Sequence, residues 1–485
     1  MAARTNPRQR GIRTFAIIWS VITLLMGAAT FVAIYWVYGV VSPSTQSVTD
    51  TGSVALPLTS STRSAAVLPT VEFPTRMPTN PPPTLTATQT GQQIAAAQAT
   101  PETPPTDAPP SPTPLPVDQR FFQVGTQVQV SPDLNAENQE LWMREVRDKL
   151  HLSWFKQQVR WEDVEPEQGR FNWAALDLAL PLAAEYDLKV ALSVVTAPEW
   201  AREPGVNLSQ HGPPADPQDY ANFVTALLDR YPGMIHAIEV WNEQNLDREW
   251  TSARGLIAAD YVELLRVAAQ AIKNADPGVI VISGALSPTG GWTEPDGRVT
   301  AIDDFVYFDS LIAAGMLNYA DCVGAHHNGY NIGPSVAWNN VPNDPTATFR
   351  GPFDNPHHSW SFFSTLQTYA NKIELAGGDQ PLCITEFGWA STEDLEGSPP
   401  GFGFAEDNTL EEQAEWTIEA LDLMEGWGTV WLAFIWNFNY GPQAGWDPSN
   451  DNVPYSMIGK DWNFRPIYDA VGQWQQAYRE RTSGS

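Results

Sequence analysis

Two glutamates follow short apolar runs that are typical of buried strands. Glu243 ends the run I-E-V-W-N-E at residues 238–243, and Glu386 ends the run L-C-I-T-E at residues 382–386. A carboxylate is costly to place there without a partner or a purpose, although each alone could be half of a buried ion pair. Two carboxyl groups facing one cleft can cleave a glycosidic bond, because one protonates the leaving oxygen while the other attacks the anomeric carbon.

The elements that must position these glutamates alternate regularly from residue 122 onward. Strands are predicted over residues 122–130, 154–161, 189–195, 235–241, 279–283, 322–326, 382–386 and 430–437. Helices are predicted over residues 137–150, 173–186, 217–230, 256–275, 302–314, 359–376, 410–426 and 466–479. Strict alternation indicates an α/β fold with parallel strands. No glycine-rich phosphate loop follows the first strand, so a closed (β/α)8 TIM barrel is favoured over an open sheet.

In such a barrel, Glu243 ends the fourth strand and Glu386 ends the seventh. Both therefore lie on the C-terminal rim, where barrel enzymes carry their chemistry. Glu239 lies four residues before Glu243 and also faces inward. We expect Glu239 to have a structural role, paired with a base or an amide donor.

The charge of the chain excludes several classes of partner. Its 485 residues hold 27 Lys and Arg against 56 Asp and Glu, a formal net charge of −29. Nucleic acids and anionic membrane surfaces are bound through an excess of basic residues, so neither is expected here. A carbohydrate remains compatible, since sugar faces stack on indole rings and carboxylates bind hydroxyl groups. We expect a monomeric catalytic domain.

The N-terminal region contains a long apolar segment. Residues 14–41 carry no Asp, Glu, Lys or Arg, whereas Arg4, Arg8, Arg10 and Arg13 precede them. The apolar run exceeds the length of a cleavable signal peptide and suffices to cross a bilayer, so we predict an uncleaved transmembrane anchor. The positive-inside bias then predicts a cytoplasmic tail at residues 1–13, with the rest of the chain extracellular in a single-pass cell-membrane protein.

The segment over residues 42–118 is rich in Pro, Ser and Thr and contains a single aromatic residue, Phe73. A segment so poor in large apolar side chains cannot offset its ordering entropy, so a disordered linker is predicted. The catalytic domain is then predicted over residues 119–485.

Cysteines and histidines give little support for cross-links or metals. Cys322 and Cys383 are the two cysteines and fall on neighbouring predicted strands. Counting by twos from His326 and Glu386 places them on opposite faces, so no disulfide is expected. No zinc-type cysteine spacing or His-Glu-x-x-His helix occurs, and we predict no metal and no cofactor. The adjacent histidines at residues 357–358 also suit a metal, but no third ligand is identifiable, and a solvated pair is preferred.

The motifs around both glutamates resemble those of the clan-A retaining glycoside hydrolases. Trp241-Asn242-Glu243 and the residues 385–389, T-E-F-G-W, occur in that order on the fourth and seventh strands. The β-xylosidase and α-L-iduronidase-like branch is the most similar, with the cellulase and mannanase branch as a neighbour. The resemblance spans residues 122–478. Supporting matches lie at residues 159–161, 165–173, 321–326, 413–414, 436 and 465–468.

This resemblance implies roles for individual residues. Glu243 would be the acid/base, Glu386 the nucleophile, and Asn242 the residue that holds the sugar 2-hydroxyl. Arg160 would orient the nucleophile and Trp436 would form a sugar platform. The substrate-binding set implied by the resemblance also includes His326, Tyr330 and Trp389. The sixth strand departs from the family pattern, which places a Tyr two residues after the His, whereas Tyr330 comes four residues after His326.

The mechanism implied is hydrolysis with retention at the anomeric carbon. Like-charge repulsion from ionised Glu386 is expected to raise the pKa of Glu243 and keep it protonated. Two alternatives share these residues: a carbohydrate-binding or sensing barrel without activity, and a transglycosylase that transfers to a second sugar.

Overall fold

The computed structural model describes residues 121–130 and 136–483. The predicted cytoplasmic tail, transmembrane anchor and linker lie outside the described residues. Within the described part of the chain, none of the helices combines the length and the apolar character needed to cross a membrane.

Eight parallel strands form one nearly closed sheet, which confirms the predicted (β/α)8 barrel. The barrel strands are β1 (Gln123–Gln127), β2 (Trp154–Arg160), β3 (Lys189–Val195), β4 (Ala237–Val240), β5 (Ile280–Ser283), β8 (Val323–Gly329), β9 (Leu382–Trp389) and β10 (Val430–Ile435). Their order around the sheet is β5-β4-β3-β2-β1-β10-β9-β8. A parallel bridge between Ile282 and Cys322 joins the two end strands.

The helices connect these strands in the predicted alternation. The longer helices are α1 (Ala136–Arg144), α3 (Ala174–Glu185), α4 (Pro217–Arg230), α5 (Ala258–Ala275), α6 (Asp304–Ala313), α8 (Phe362–Leu375), α10 (Leu410–Trp427) and α12 (Pro466–Ser483). The short helices are α2 (Trp161–Val164), α7 (Gly351–Asp354), α9 (Gly403–Glu406) and α11 (Tyr440–Gln443). Asp216 caps α4 by accepting from the Gln218 amide, and Pro217 occupies the first turn, where its missing N–H costs nothing.

A two-stranded hairpin interrupts the connection after β5. Its strands, β6 (Trp292–Thr293) and β7 (Val299–Ala301), are antiparallel and lie before α6. Such short strands lack the periodicity that a sequence pattern needs, so the hairpin was not predicted.

The expectation that Cys322 and Cys383 do not bond is wrong. The structure contains a Cys322–Cys383 disulfide with a Cα–Cα distance of 5.8 Å. The register between β8 and β9 shifts, because Ala325 pairs with Ile384 while His326 pairs with Glu386. Thr385 is the extra residue of this bulge, which breaks the two-residue alternation along β9.

The bulge explains the direction of Cys383. Thr385 Oγ1 donates to buried Glu239 at 2.6 Å, so Thr385 faces the barrel interior, as Glu386 does. Counting by twos from Thr385 rather than from Glu386 places Cys383 inward, towards Cys322. The disulfide belongs to a buried interior cluster that also contains Trp154, Ile282 and Phe434.

Candidate active site

The end of β4 positions Glu243 on a strained stretch of backbone. Trp241 has φ +79° and Glu243 has φ +45°, in the left-handed region that non-glycine residues seldom adopt. The Glu243 amide donates to the Ala285 carbonyl at 2.8 Å, and the Trp241 indole donates to the Glu249 carbonyl at 3.1 Å. Each such residue costs about 1–3 kcal/mol, and residues of this kind concentrate at functional sites.

His326 on β8 brings the two predicted catalytic glutamates together. Its Nδ1 lies 3.3 Å from Glu243 Oε1 and 3.8 Å from Glu386 Oε2. The imidazole is 1% exposed, whereas the carboxyl side chains are 13% and 9% exposed. Both carboxylates therefore border the open mouth of the barrel and share one imidazole nitrogen.

Lys156 on β2 is a site residue that the sequence reasoning missed. Its ammonium is fully buried, 3.4 Å from Glu386 Oε1 and 3.7 Å from Glu239 Oε2. The alternation along β2 contained the signal, because Lys156 shares the inward set with Trp154 and Arg160. A lysine on the inward face of a buried strand requires a compensating carboxylate.

Glu239 has the structural surroundings that were expected. Its carboxylate accepts hydrogen bonds from Ser193, from Thr385 and from the Ala285 amide, and it faces Lys156. These donors satisfy the buried charge within the barrel, below the level of Glu243 and Glu386.

The pKa of Glu243 is lowered, whereas the sequence predicts a raised value. Burial acts to raise the pKa of Glu243, but the hydrogen bond and charge of His326, together with the charge of Arg248, lower it to about 2. Arg248 Nη2 lies 3.1 Å from Glu243 Oε2. The expected raised pKa of Glu243 is therefore wrong for this arrangement, because His326 and Arg248 outweigh the effect of burial.

Two neighbours of Glu243 have raised pKa values. Burial acts to lower the pKa of His326, yet the charges of Glu386, Glu243 and Glu239 raise it overall. Burial, followed by the charge of Glu243, raises the pKa of Glu249 to about 7. His326 therefore tends to keep its proton, whereas the neighbouring Glu243 tends to lose its proton.

Asn242 and Arg160 lie on the same rim with different partners. Asn242 is 7% exposed, and its Oδ1 has no hydrogen-bond partner among the described residues. The ion pairs of Arg160 are with Glu162 and Asp163 at 2.9 and 3.8 Å, and its guanidinium also contacts His211 at 2.8 Å. The structure therefore brings Lys156, rather than Arg160, next to Glu386.

The three predicted aromatic residues lie in different surroundings. Trp436 lies near the glutamates, since Lys156 Nζ is 6.0 Å from its ring centroid. Tyr330 packs in an aromatic cluster, with its ring centroid 4.5 Å from that of Trp360 and 4.9 Å from that of Phe404. Trp389 is 1% exposed, donates to the Ile332 carbonyl and packs on Phe362, so the structure places it in the core between barrel and helices.

A family model supports the resemblance inferred from the motifs. Residues 134–206 match the model of glycoside hydrolase family 42, described as β-galactosidase. This match joins a (β/α)8 barrel that has Glu243 shortly after β4 and Glu386 within β9. Over this segment the chain is similar to glycoside hydrolases, in line with the clan-A resemblance of the two motifs.

Solved structures share the fold of this barrel. A family 39 glycoside hydrolase from the gut symbiont Bacteroides cellulosilyticus WH2 is 16% identical with a TM-score of 0.50, over 75% of this chain and 65% of that one. This chain thus spans less than two thirds of that relative. A variant of a family 5 glycoside hydrolase from Bifidobacterium longum subsp. longum, solved with Manβ1-4GlcNAc, is 16% identical with a TM-score of 0.50, over 74% and 79%. No curated protein matches the chain.

Proposed function

We propose that this chain is a retaining glycoside hydrolase that cleaves β-linked glycosides by double displacement, with Glu243 as acid/base and Glu386 as nucleophile. The observation that carries the proposal is the shared imidazole: both carboxylates approach His326 Nδ1 at the mouth of the barrel. A retaining mechanism needs two carboxyl groups only about 5–5.5 Å apart.

The first step is attack by Glu386 on the anomeric carbon. The C–O bond to the leaving group breaks as the carboxylate forms a glycosyl ester, and the leaving oxygen takes a proton from Glu243. Lys156 supports this role of Glu386, because a buried ammonium at 3.4 Å fixes the orientation of the carboxylate. In the second step Glu243 takes a proton from water, which attacks the anomeric carbon and releases Glu386.

The acid step requires a proton on Glu243, which His326 and Arg248 keep ionised in this arrangement. The Arg248 side chain is 63% exposed, so a substrate entering the mouth can displace it from Glu243. Its departure removes one positive neighbour and raises the pKa of Glu243. A protonated His326 can then supply the proton across the 3.3 Å contact.

Sugar recognition is assigned to polar and aromatic groups around the glutamates. The unpartnered Oδ1 of Asn242 is suited to accept from a sugar hydroxyl, because binding would satisfy a buried acceptor. Trp436 supplies an aromatic face beside Lys156. Arg160 with His211 supplies further polar groups on the same rim.

The proposal includes a membrane-anchored location. The uncharged apolar segment at residues 14–41 and the preceding arginines support a single-pass anchor with a cytoplasmic N-terminus. The Pro, Ser and Thr-rich segment that follows supports a linker between membrane and barrel, which places the active site outside the cell.

A substrate panel tests this function. Purified protein is assayed against aryl β-xylosides, β-glucosides, β-mannosides and β-galactosides and against xylan, mannan and glucan. We expect release from at least one substrate, and loss of at least about 100-fold in Glu386→Gln. Glu374→Gln, at an exposed position on α8, serves as the matched control and should retain activity. Absence of any turnover by the folded wild type, or full activity of Glu386→Gln, would contradict the proposal.

A further inference from the structure

A second cluster of ionisable side chains lies on the rim of the barrel, away from the paired glutamates. Asp303, His357 and His358 each direct one ligand-type atom to a common point, and these atoms all lie within 4.8 Å of one another. We propose that the three residues bind a divalent transition-metal ion, with Zn²⁺ the best match for two imidazoles and one carboxylate.

The spacing of the three atoms suits a metal ion. Asp303 Oδ2 lies 3.1 Å from His358 Nε2 and 3.4 Å from His357 Nε2. Tetrahedral ligands at about 2.0–2.1 Å from zinc are separated from one another by about 3.3 Å. The two separations that involve Asp303 bracket that value, and the two imidazole nitrogens lie within 4.8 Å of each other, so binding of an ion requires them to move closer by at most about 1.5 Å.

Two other polar atoms of the cluster, Asp303 Oδ1 and His357 Nδ1, are held by neighbours. Asp303 Oδ1 accepts from the Phe305 and Val306 amides at the start of α6, which leaves Oδ2 for the histidines. His357 Nδ1 lies 2.8 Å from Ser359 Oγ, a contact that fixes the ring orientation. Metal-bound imidazoles commonly have such a second partner on the nitrogen that faces away from the ion.

His358 has a carboxylate behind it. Its Nδ1 lies 3.8 Å from Asp304 Oδ1 and has no hydrogen-bond partner among the described residues. Asp304 is fully buried and is fixed by the Tyr369 hydroxyl at 2.6 Å and by the Thr289 amide at 2.9 Å. Imidazoles at zinc sites commonly donate their second N–H to a carboxylate, and Asp304 becomes such a partner if the His358 ring moves closer by about 0.6 Å.

Gly290 lies beside the cluster. A Cβ added at Gly290 would contact Cε1 and Nε2 of His357 at 3.4 Å, so a larger residue would crowd the metal-facing nitrogen. A fourth ligand, such as water, would complete a tetrahedral zinc site. Direct hydrogen bonds from both histidines to Asp303 are the competing explanation for the same distances.

The ion would join two connections of the barrel. Asp303 ends the segment between β5 and α6, whereas His357 and His358 lie between β8 and α8. Residues separated by such a distance in the sequence gain stability from a shared ion, because the free energy of binding adds to that of folding. The predicted role is thus to clamp the rim, separate from the bond-breaking step.

Zinc binding to the full chain tests the site. Protein freed of metal with a chelator is titrated with zinc chloride in a calorimeter, and its thermal unfolding is recorded with and without the ion. We expect one zinc per chain and a higher Tm with zinc. Asp303→Asn keeps the helix cap but loses the charge, and should weaken zinc binding by more than about 10-fold.

Two further variants make the result decisive. His358→Gln should also lose the zinc-dependent rise in Tm, and bound Co²⁺ should lose its four-coordinate visible absorption. His151→Asn, a histidine in the turn before β2, should behave as wild type. Zinc binding of equal strength in wild type, Asp303→Asn and His358→Gln would overturn the proposal, as would the absence of zinc binding to the wild type.

Discussion

Lys156 and Glu386 form a buried ion pair inside the barrel, with Nζ 3.4 Å from Oε1. The lysine is also within 3.7 Å of Glu239, so one ammonium serves two carboxylates. A buried charge that loses its partner is strongly destabilising, by about 3–5 kcal/mol. This relationship links the stability of the barrel to the orientation of the proposed nucleophile.

Replacing the Lys156 ammonium should impair the catalytic role of Glu386. We expect Lys156→Met to lower kcat/KM by about 100-fold or more, because the ammonium that orients the Glu386 carboxylate is lost. Steady-state kinetics measure the effect. Lys189→Met, at an exposed position on β3, is the control. An unchanged kcat/KM in Lys156→Met would show that Lys156 does not act on the nucleophile.

The acid/base role of Glu243 predicts a leaving-group dependence. Glu243→Ala should be slow on substrates with poor leaving groups, which need protonation, and much less impaired on activated aryl glycosides. Added azide should restore turnover on activated substrates, since it attacks the glycosyl ester without base assistance. Chromatography of the products should reveal a β-glycosyl azide. Equal impairment on all leaving groups, with no azide product, would remove Glu243 from this role.

The contact of Arg248 with Glu243 predicts that Arg248 variants shift the alkaline limb of the pH–rate profile. It contributes to the lowered pKa of Glu243, about 2, so Arg248→Gln should raise that pKa. A carboxyl group with a higher pKa keeps its proton to higher pH, and the alkaline limb of kcat/KM should therefore move upward. Arg254→Gln, an arginine paired with Asp260, provides the control. A limb that stays in place, or that moves downward, would show that Arg248 does not control the acid.

The Cys322–Cys383 disulfide predicts a stability difference. The bond joins residues separated by 61 positions, for which chain entropy gives a stabilisation of about 4 kcal/mol. The double variant Cys322→Ala and Cys383→Ala should lose about this amount in urea unfolding. Thiol titration of the denatured, unreduced wild type should find no free thiol from these two residues. Two reactive thiols would contradict the disulfide.

The fold was largely predictable, because hydrophobic alternation along the chain reports its element order. The predicted bounds of β3 and α4 match the structure at both ends. Register is a property of two strands together, so the bulge at Thr385 could not be deduced from β9 alone. That single residue reversed the assignment of Cys383.

The site was predictable in position but incompletely in its electrostatics. Glu243 and Glu386 could be located because each follows an apolar run in the sequence, although β9 continues past Glu386 to Trp389. The low pKa of Glu243 depends on His326, 83 positions away in the sequence, and on the direction of a flexible Arg248 side chain. Trp389 followed a motif, yet the strand turns its ring towards the helices. Such directions follow from tertiary packing rather than from local pattern.

The stereochemistry of the reaction tests the proposed mechanism most directly. Proton NMR of the hydrolysis of the best aryl β-glycoside records the anomer that forms first, before mutarotation mixes the two. Double displacement through Glu386 predicts that the β-anomer appears first. Initial release of the α-anomer would show single displacement with inversion and would contradict the assignment of Glu386 as nucleophile.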